Sequence, residues 1–124
     1  MHRARFEQLV AEAVEELPEE FQEGLDNIVV VVEQWPSHEQ MVRFGLESRG
    51  DLLGLYEGVP LTEGARHQVP LPDRITIFQK PIERICRSEA EIKARVAETV
   101  RHEIAHYFGI GDERLDEIER EKGQ

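Results

Sequence analysis

The sequence has little cysteine, no long apolar run and few cations, and each shortage excludes a class of protein. The single cysteine, Cys86, rules out an internal disulfide framework and a zinc site built from cysteines alone. No apolar run approaches the roughly 18 residues that a membrane-spanning helix needs. The N-terminus reaches acidic residues at once and lacks an apolar signal core, so we expect a soluble, cytoplasmic protein without a membrane partner.

Positive charge is scarce relative to negative charge. The chain carries 15 Lys and Arg against 26 Asp and Glu, which leaves a formal net charge of −11. Because an acidic surface repels the phosphate backbone, this balance argues against nucleic acid as a partner. A length of 124 residues fits one compact domain, and we predict a single domain over residues 1–124.

Helical periodicity is clearest near the two ends of the chain. The spacing of apolar residues predicts an N-terminal helix from Arg3 to Leu17, which Pro18 ends. A long helix is expected to begin at Ser88, an N-cap residue, and to end at Gly109. Its buried stripe is predicted at steps of four, comprising Ile92, Val96, Val100, Ile104 and Phe108. A charged final helix is predicted from Asp112 to Lys122.

Three β-branched or aromatic stretches between these helices predict strands. The stretch Asn27 to Glu33 contains four consecutive valines, and this unbroken run predicts burial on both faces. A second strand is predicted from Asp51 to Tyr56, although Gly54 weakens it. The third, Arg74 to Lys80, has charged ends that suit an edge position. The fold class is therefore α+β, with a small mixed sheet of about three or four strands.

The long helix contains the pattern His102-Glu103-Ile104-Ala105-His106. Two histidines at positions i and i+4 lie on one helix face, where both imidazoles can reach one metal ion. Glu103 lies about 100° around the helix from His102, by the standard helical step. That offset is poor for ligation but suits a general base that contacts a metal-bound water.

A catalytic zinc ion needs a third protein ligand, and Asp112 has the required chemistry. On a continuous helix Asp112 would lie about 120° around from His106 and roughly 9 Å further along, too far to ligate. Gly109 can adopt a positive φ and reverse the chain before Asp112. Asp112 is also placed to be the N-cap of the final helix, and both roles can coexist.

The full pattern, His102-Glu103-x-x-His106-x-x-Gly109-x-x-Asp112, resembles the extended zincin metallopeptidase signature. Nearly all 124 residues are similar to the minimal-zincin family of bacterial proteins. The resemblance implies a minimal zincin-like fold with an N-terminal helix, a long active-site helix and a C-terminal helix. It also implies that the strand before the active-site helix, here Arg74 to Lys80, lies on the edge of a cleft where a peptide could add as a further strand.

These residues predict a zinc-dependent hydrolase, and the leading interpretation is a metallopeptidase that acts on a peptide or protein. Zn²⁺ would be held by His102, His106 and Asp112, with Glu103 as the catalytic base. Two histidines and one carboxylate are also the ligand set of non-haem Fe(II) oxygenases. A third interpretation is a catalytically weak or inactive zincin-like module that binds peptides or proteins. The sequence leaves cleavage preference and oligomeric state open.

Peptide hydrolysis also needs a donor that stabilises the oxyanion opposite the metal. Three side chains, those of Tyr56, His67 and Tyr107, are candidates for this role. Tyr107 is adjacent to His106 in the sequence but could equally serve in packing.

Overall fold

The computed structural model describes residues 1–58 and 73–110, together with residues 117 and 120. Its elements in chain order are the helices α1 (Arg3–Glu15) and α2 (Glu19–Gln22), strand β1 (Ile28–Glu33), helix α3 (His38–Arg43), strands β2 (Gly54–Glu57) and β3 (Asp73–Phe78), and helices α4 (Gln79–Arg84) and α5 (Glu89–Tyr107). The expected α+β class, with a small mixed sheet, is confirmed. His67 and the predicted Asp112–Lys122 helix lie outside the described residues, apart from positions 117 and 120.

The described strands form one mixed sheet in the order β1-β3-β2. Strand β3 runs parallel to β1, with Val30 opposite Ile75. It runs antiparallel to β2, with Tyr56 opposite Ile75 on the other side. The strand with charged ends is therefore central, and the two edges belong to β1 and β2.

This order reverses two expectations from the sequence. The charged ends of β3 favour an edge position, yet Ile75 to Phe78 are all fully buried because a neighbouring strand lies on each side. The valine run predicts burial on both faces, yet in β1 only Val32 is fully buried, and Val29 is 40% exposed. Charge at the ends of β3 is compatible with a central position because Arg74 reaches out to Glu33.

Helices α1 and α5 pack together on one face of the sheet and form the core with it. α1 contributes an apolar stripe at helical spacing, consisting of Phe6, Leu9, Val10 and Ala13. α5 contributes Val96, Val100 and Ile104, each with no exposed surface. None of the described helices combines the length and the apolar composition needed to cross a membrane.

Helix α4 shortens a predicted strand, and helix α3 orders a polar stretch. The predicted strand Arg74 to Lys80 ends at Phe78, because Gln79 begins α4. α3 begins at an N-cap, Ser37, whose hydroxyl accepts the Gln40 N–H while the Gln40 side chain accepts the Ser37 N–H. This capping box orders a polar stretch that shows no clear periodicity in the sequence.

Candidate metal centre

Helix α5 is fixed at its N-terminus by the predicted cap. The Ser88 hydroxyl accepts the Glu91 N–H at 3.1 Å, while the Glu91 carboxylate accepts the Arg87 N–H at 3.2 Å. The predicted stripe faces the core, with Val96, Val100 and Ile104 fully buried. Burial of this stripe sets the rotation of α5 and so directs the histidine row towards the free edge of β2.

The structure brings His102, Glu103 and His106 together at one point on α5. Their potential ligand atoms, one from each side chain, all lie within 4.8 Å of one another. The two imidazole rings have their centroids 4.6 Å apart and are inclined by 70°. Nδ1 of His106 lies 3.3 Å from Oε1 of Glu103, as expected for side chains three residues apart on a helix.

The Glu103 carboxylate is buried and anchored by strand β2. Only 7% of the residue is exposed, and the backbone N–H of Tyr56 hydrogen-bonds the carboxylate. Burial raises the pKa of Glu103 above its ordinary value, although His106, His102 and the Tyr56 N–H each oppose that rise. A carboxylate with a raised pKa is a stronger base, which suits it to accept a proton and return it.

The pairing of β2 with β3 explains why the Tyr56 N–H reaches the site. Phe78 N–H donates to the Leu53 carbonyl at 2.9 Å, so residues 53, 55 and 57 of this ladder face β3. By alternation, the backbone groups of Gly54 and Tyr56 face away from β3. Of the two, Gly54 provides the free edge of β2 beside α5 within the described part of the chain, because the Tyr56 N–H already bonds Glu103.

A cleft of about 250 Å³ lies between this edge and α5. Its lining comprises Leu52, Leu53, Gly54, Glu98, Thr99, His102 and Glu103. Helix and strand approach closely because Gly54 has no side chain. A Cβ at position 54 would lie 2.6 Å from Cγ2 of Thr99 and 3.1 Å from Cγ of Glu103.

The C-terminus of α5 has the predicted glycine turn. Gly109 has φ 70°, its N–H donates to the His106 carbonyl, and the Ile110 N–H donates to the Ala105 carbonyl. These two bonds form a Schellman motif, which ends the helix directly after the second histidine. Asp112 lies outside the described residues, so its part in metal binding stays a prediction.

The residues present fit a divalent metal such as zinc. Two imidazoles on one helix face provide nitrogen donors, and a carboxylate that is already anchored by a backbone N–H lies beside them. His106 is exposed, so an ion would have access from solvent. The roles of the individual residues stay predictions.

The two described candidates for the oxyanion donor are directed elsewhere. The Tyr107 hydroxyl donates to the Gly24 carbonyl at 2.8 Å, and the residue is 1% exposed. The Tyr56 hydroxyl oxygen is also buried, and its ring meets that of Tyr107 edge-on at 5.9 Å. Neither hydroxyl lines the cleft, so both tyrosines serve in packing.

Sequence reasoning missed the part that β2 plays in the site. In the sequence Gly54 weakens the predicted strand, whereas in the structure its missing side chain lets β2 approach Thr99 and Glu103. A glycine inside a strand is a known sign of close backbone approach, and that signal is present in the sequence.

Comparisons with known proteins agree with this geometry. A family model described as zincin-like metallopeptidase matches residues 25–122, which confirms the resemblance seen in the sequence. Among solved structures, the chain is similar to a conserved hypothetical protein from Thermus thermophilus, with 28% identity, a TM-score of 0.57, and coverage of 87% of this chain and 94% of that chain. No curated protein matches the chain. Because the family model spans most of its length, this chain belongs to the zincin-like metallopeptidase family.

Proposed function

We propose that the protein is a zinc-dependent peptidase whose general base is Glu103. The observation that carries this proposal is the position of the Glu103 carboxylate, which is buried beside both histidines and fixed by the Tyr56 N–H. A solvated polar helix face would not need a buried carboxylate at this point, since burial of an ionisable group is unfavourable without a compensating role.

His102 and His106 would hold the ion, with Asp112 as the third ligand after the Gly109 turn. Zinc, when bound, supplies the positive charge that acidifies a water molecule and polarises the scissile carbonyl. The carboxylate of Glu103 takes the proton of the attacking water and returns it to the leaving amine. The Tyr56 N–H keeps this carboxylate in place during both transfers.

The substrate would lie along the free edge of β2. Gly54 offers an outward N–H and carbonyl, with which an extended peptide could pair as an additional strand. This replaces the expectation that Arg74–Lys80 would receive the peptide, because β3 is paired on both sides. Leu52 and Leu53 give the cleft an apolar wall, and Glu98 lies at its other side.

The same β2 edge would also allow binding without cleavage. A peptide could pair with Gly54 whether or not Glu103 acts as a base, and this supports the non-catalytic peptide-binding module as the second candidate. The two candidates differ in one respect, which is the fate of the bound peptide.

The decisive experiment compares the zinc-loaded wild-type protein with Glu103→Gln on a mixed peptide library analysed by mass spectrometry. The variant keeps the shape of the side chain but cannot accept a proton. Glu47→Gln, which changes an exposed glutamate that does not line the cleft, is the matched control. Cleavage by wild type and Glu47→Gln but not by Glu103→Gln supports the peptidase. Peptide binding without cleavage in all three supports the module.

A further inference from the structure

The second edge of the sheet, formed by β1, has backbone groups that face outward. The Asp73 N–H donates to the Asn27 carbonyl at 3.0 Å, so odd-numbered residues of β1 face β3 in this parallel ladder. By alternation, Ile28, Val30 and Val32 face away from β3. An Arg3 guanidinium nitrogen lies 2.6 Å from the Val32 carbonyl on that outer side, which agrees with this assignment.

The outward groups fall into two sets, those with a partner and those without. The Val32 carbonyl accepts from Arg3, and the Ile28 N–H donates to the Leu25 carbonyl at 3.3 Å. Within residues 1–58 and 73–110, nothing bonds the outward N–H and carbonyl of Val30, the N–H of Val32 or the carbonyl of Ile28. One antiparallel strand placed at this edge could form hydrogen bonds with all four of these groups.

An apolar groove runs beside this edge. It has a volume of about 470 Å³ and lies between α1 and β1, with a lining of Arg3, Glu7, Val10, Ala11, Val14, Glu15, Val30, Val31 and Val32. Val29, on the same strand, is 40% exposed. Soluble proteins usually protect an edge strand with lysine, proline or a bulge. The stretch from Val29 to Val32 has no lysine or proline, and it pairs with β3 without a bulge.

The rim of the groove on α1 is complementary to itself. Arg3, Glu7, Ala11 and Glu15 follow one another at steps of four and form one row along the helix. The row has a cation at its start and an anion at its end, with Glu7, which lies 3.7 Å from Arg3 Nε, and the small Ala11 between them. If two such rows lie antiparallel about a twofold axis centred on the row, each Arg3 faces a Glu15 of the other copy.

The strand and the helix row place this axis at the same level. The start of α1 lies at the end of β1, since Arg3 contacts Val32 and Gln79 Nε2 donates to the Met1 carbonyl. The midpoint of the row lies six residues after Arg3, a rise of about 9 Å. That is the length of about three strand residues, which brings the midpoint close to the level of Val30.

We propose that β1 pairs antiparallel with β1 of a second copy of this chain, with Val30 on the twofold axis. The two Val30 residues would exchange N–H···O bonds with each other. Each Val32 N–H would donate to the Ile28 carbonyl of the other copy, so every unpaired outward group obtains a partner. The three described strands of each copy would join into one continuous sheet, and both β2 clefts would stay open at its far edges.

This proposal does not depend on the peptidase activity. The test measures sedimentation velocity of the full-length protein at concentrations up to about 100 µM, which covers weak dimers. Arg3→Glu and Glu15→Arg each place like charges opposite one another, so each variant is expected to be monomeric while the wild type is dimeric. Glu16→Arg changes the charge by the same amount off the row and is expected to stay dimeric.

The two disrupted variants then test the pairing itself. When Arg3→Glu and Glu15→Arg are mixed in equal amounts, position 3 of each faces the opposite charge at position 15 of the other, so the mixture is expected to dimerise. The double variant in one chain should also regain the dimer. A wild type that stays monomeric, a dimer that both charge changes leave intact, or a mixture that stays monomeric would each overturn the proposal.

Discussion

Gly54 in strand β2 lies so close to Thr99 in helix α5 that a Cβ at position 54 would come within 2.6 Å of the threonine methyl group. The same Cβ would lie 3.1 Å from Cγ of Glu103. The separation between the free edge of β2 and the candidate base therefore depends on the absence of a single carbon atom. This contact links the sheet directly to the chemistry proposed for α5.

Replacement of Gly54 by alanine should push β2 away from α5. We expect a loss of stability of about 1–3 kcal/mol, as for other overpacked sites. Peptide cleavage should fall more than zinc binding does, because the side chains nearest the new Cβ are Thr99 and Glu103 rather than a histidine. Urea unfolding, zinc stoichiometry and cleavage rate, each measured on the same preparation, check this prediction.

A second substitution distinguishes a steric effect from a general weakening of the strand. Thr99→Ser removes the methyl group that the new alanine side chain would meet but keeps the hydroxyl that donates to the Arg95 carbonyl. The Gly54→Ala, Thr99→Ser double variant should recover much of the lost stability and activity. If it is no better than Gly54→Ala, the close contact is not the cause.

Zinc binding should depend on the exposed histidine of the site. His106→Ala removes one of two imidazoles on the face of α5, so we expect the variant to lose most of its metal. The matched control, His38→Ala, removes an exposed histidine at the start of α3 and should keep one zinc ion per chain. Elemental analysis of untagged protein after dialysis measures both, and equal zinc content would contradict the proposed site.

The turn at Gly109 should be needed for both stability and metal affinity. Gly109 has φ 70°, so alanine there should cost about 1–2 kcal/mol. Asparagine tolerates this backbone region better, so Gly109→Asn should be milder. If Asp112 is a ligand, Asp112→Ala should weaken zinc binding while leaving the stability of the metal-free protein much less affected than Gly109→Ala does. Competition with a zinc chelator and thermal unfolding give the two readouts.

Tyr107 should affect stability but not catalysis. Its hydroxyl donates to the Gly24 carbonyl in a buried position, so Tyr107→Phe leaves that carbonyl without its partner. We expect a loss of about 1 kcal/mol, with kcat and the pH profile unchanged. A large fall in kcat without loss of stability would instead restore Tyr107 as an oxyanion donor.

The buried Glu103 carboxylate gives the metal-free protein a specific pH dependence. Burial raises the pKa of Glu103 in the folded state, so its ionised form is less favourable there than in the unfolded chain. The contribution of Glu103 to the free energy of unfolding is therefore greatest below the pKa that Glu103 has in the unfolded chain. It falls as pH rises towards the higher pKa of the folded state. The stability of Glu103→Gln relative to wild type should increase across that window and stay constant above it, as measured by urea unfolding in a chelator.

The local features of the site could be predicted from the sequence because they depend on residues close together in the chain. The spacing of His102, Glu103 and His106 fixes their shared position on one helix. The Ser88 cap and the Gly109 turn are likewise local, and both are present. Burial of Val96, Val100 and Ile104 follows from their period.

The order of the strands could not be predicted in the same way. Four β-branched residues from Val29 to Val32 favour a strand whether it lies at the centre or at an edge, since the preference is local. Which strand becomes central depends on pairing between residues 28–33 and 73–78, and the sequence does not encode that pairing in any short pattern. The charge pattern therefore favours β3 as the open edge beside α5, whereas that edge belongs to β2.

X-ray absorption at the zinc edge of the reconstituted protein tests the central claim most directly. The proposed site predicts one ion per chain with two imidazole ligands at about 2.0–2.1 Å and oxygen atoms in the other positions. His106→Ala should reduce the imidazole signal to one ligand or abolish binding. A shell without imidazole, or a wild-type protein that takes up no zinc, would contradict the account.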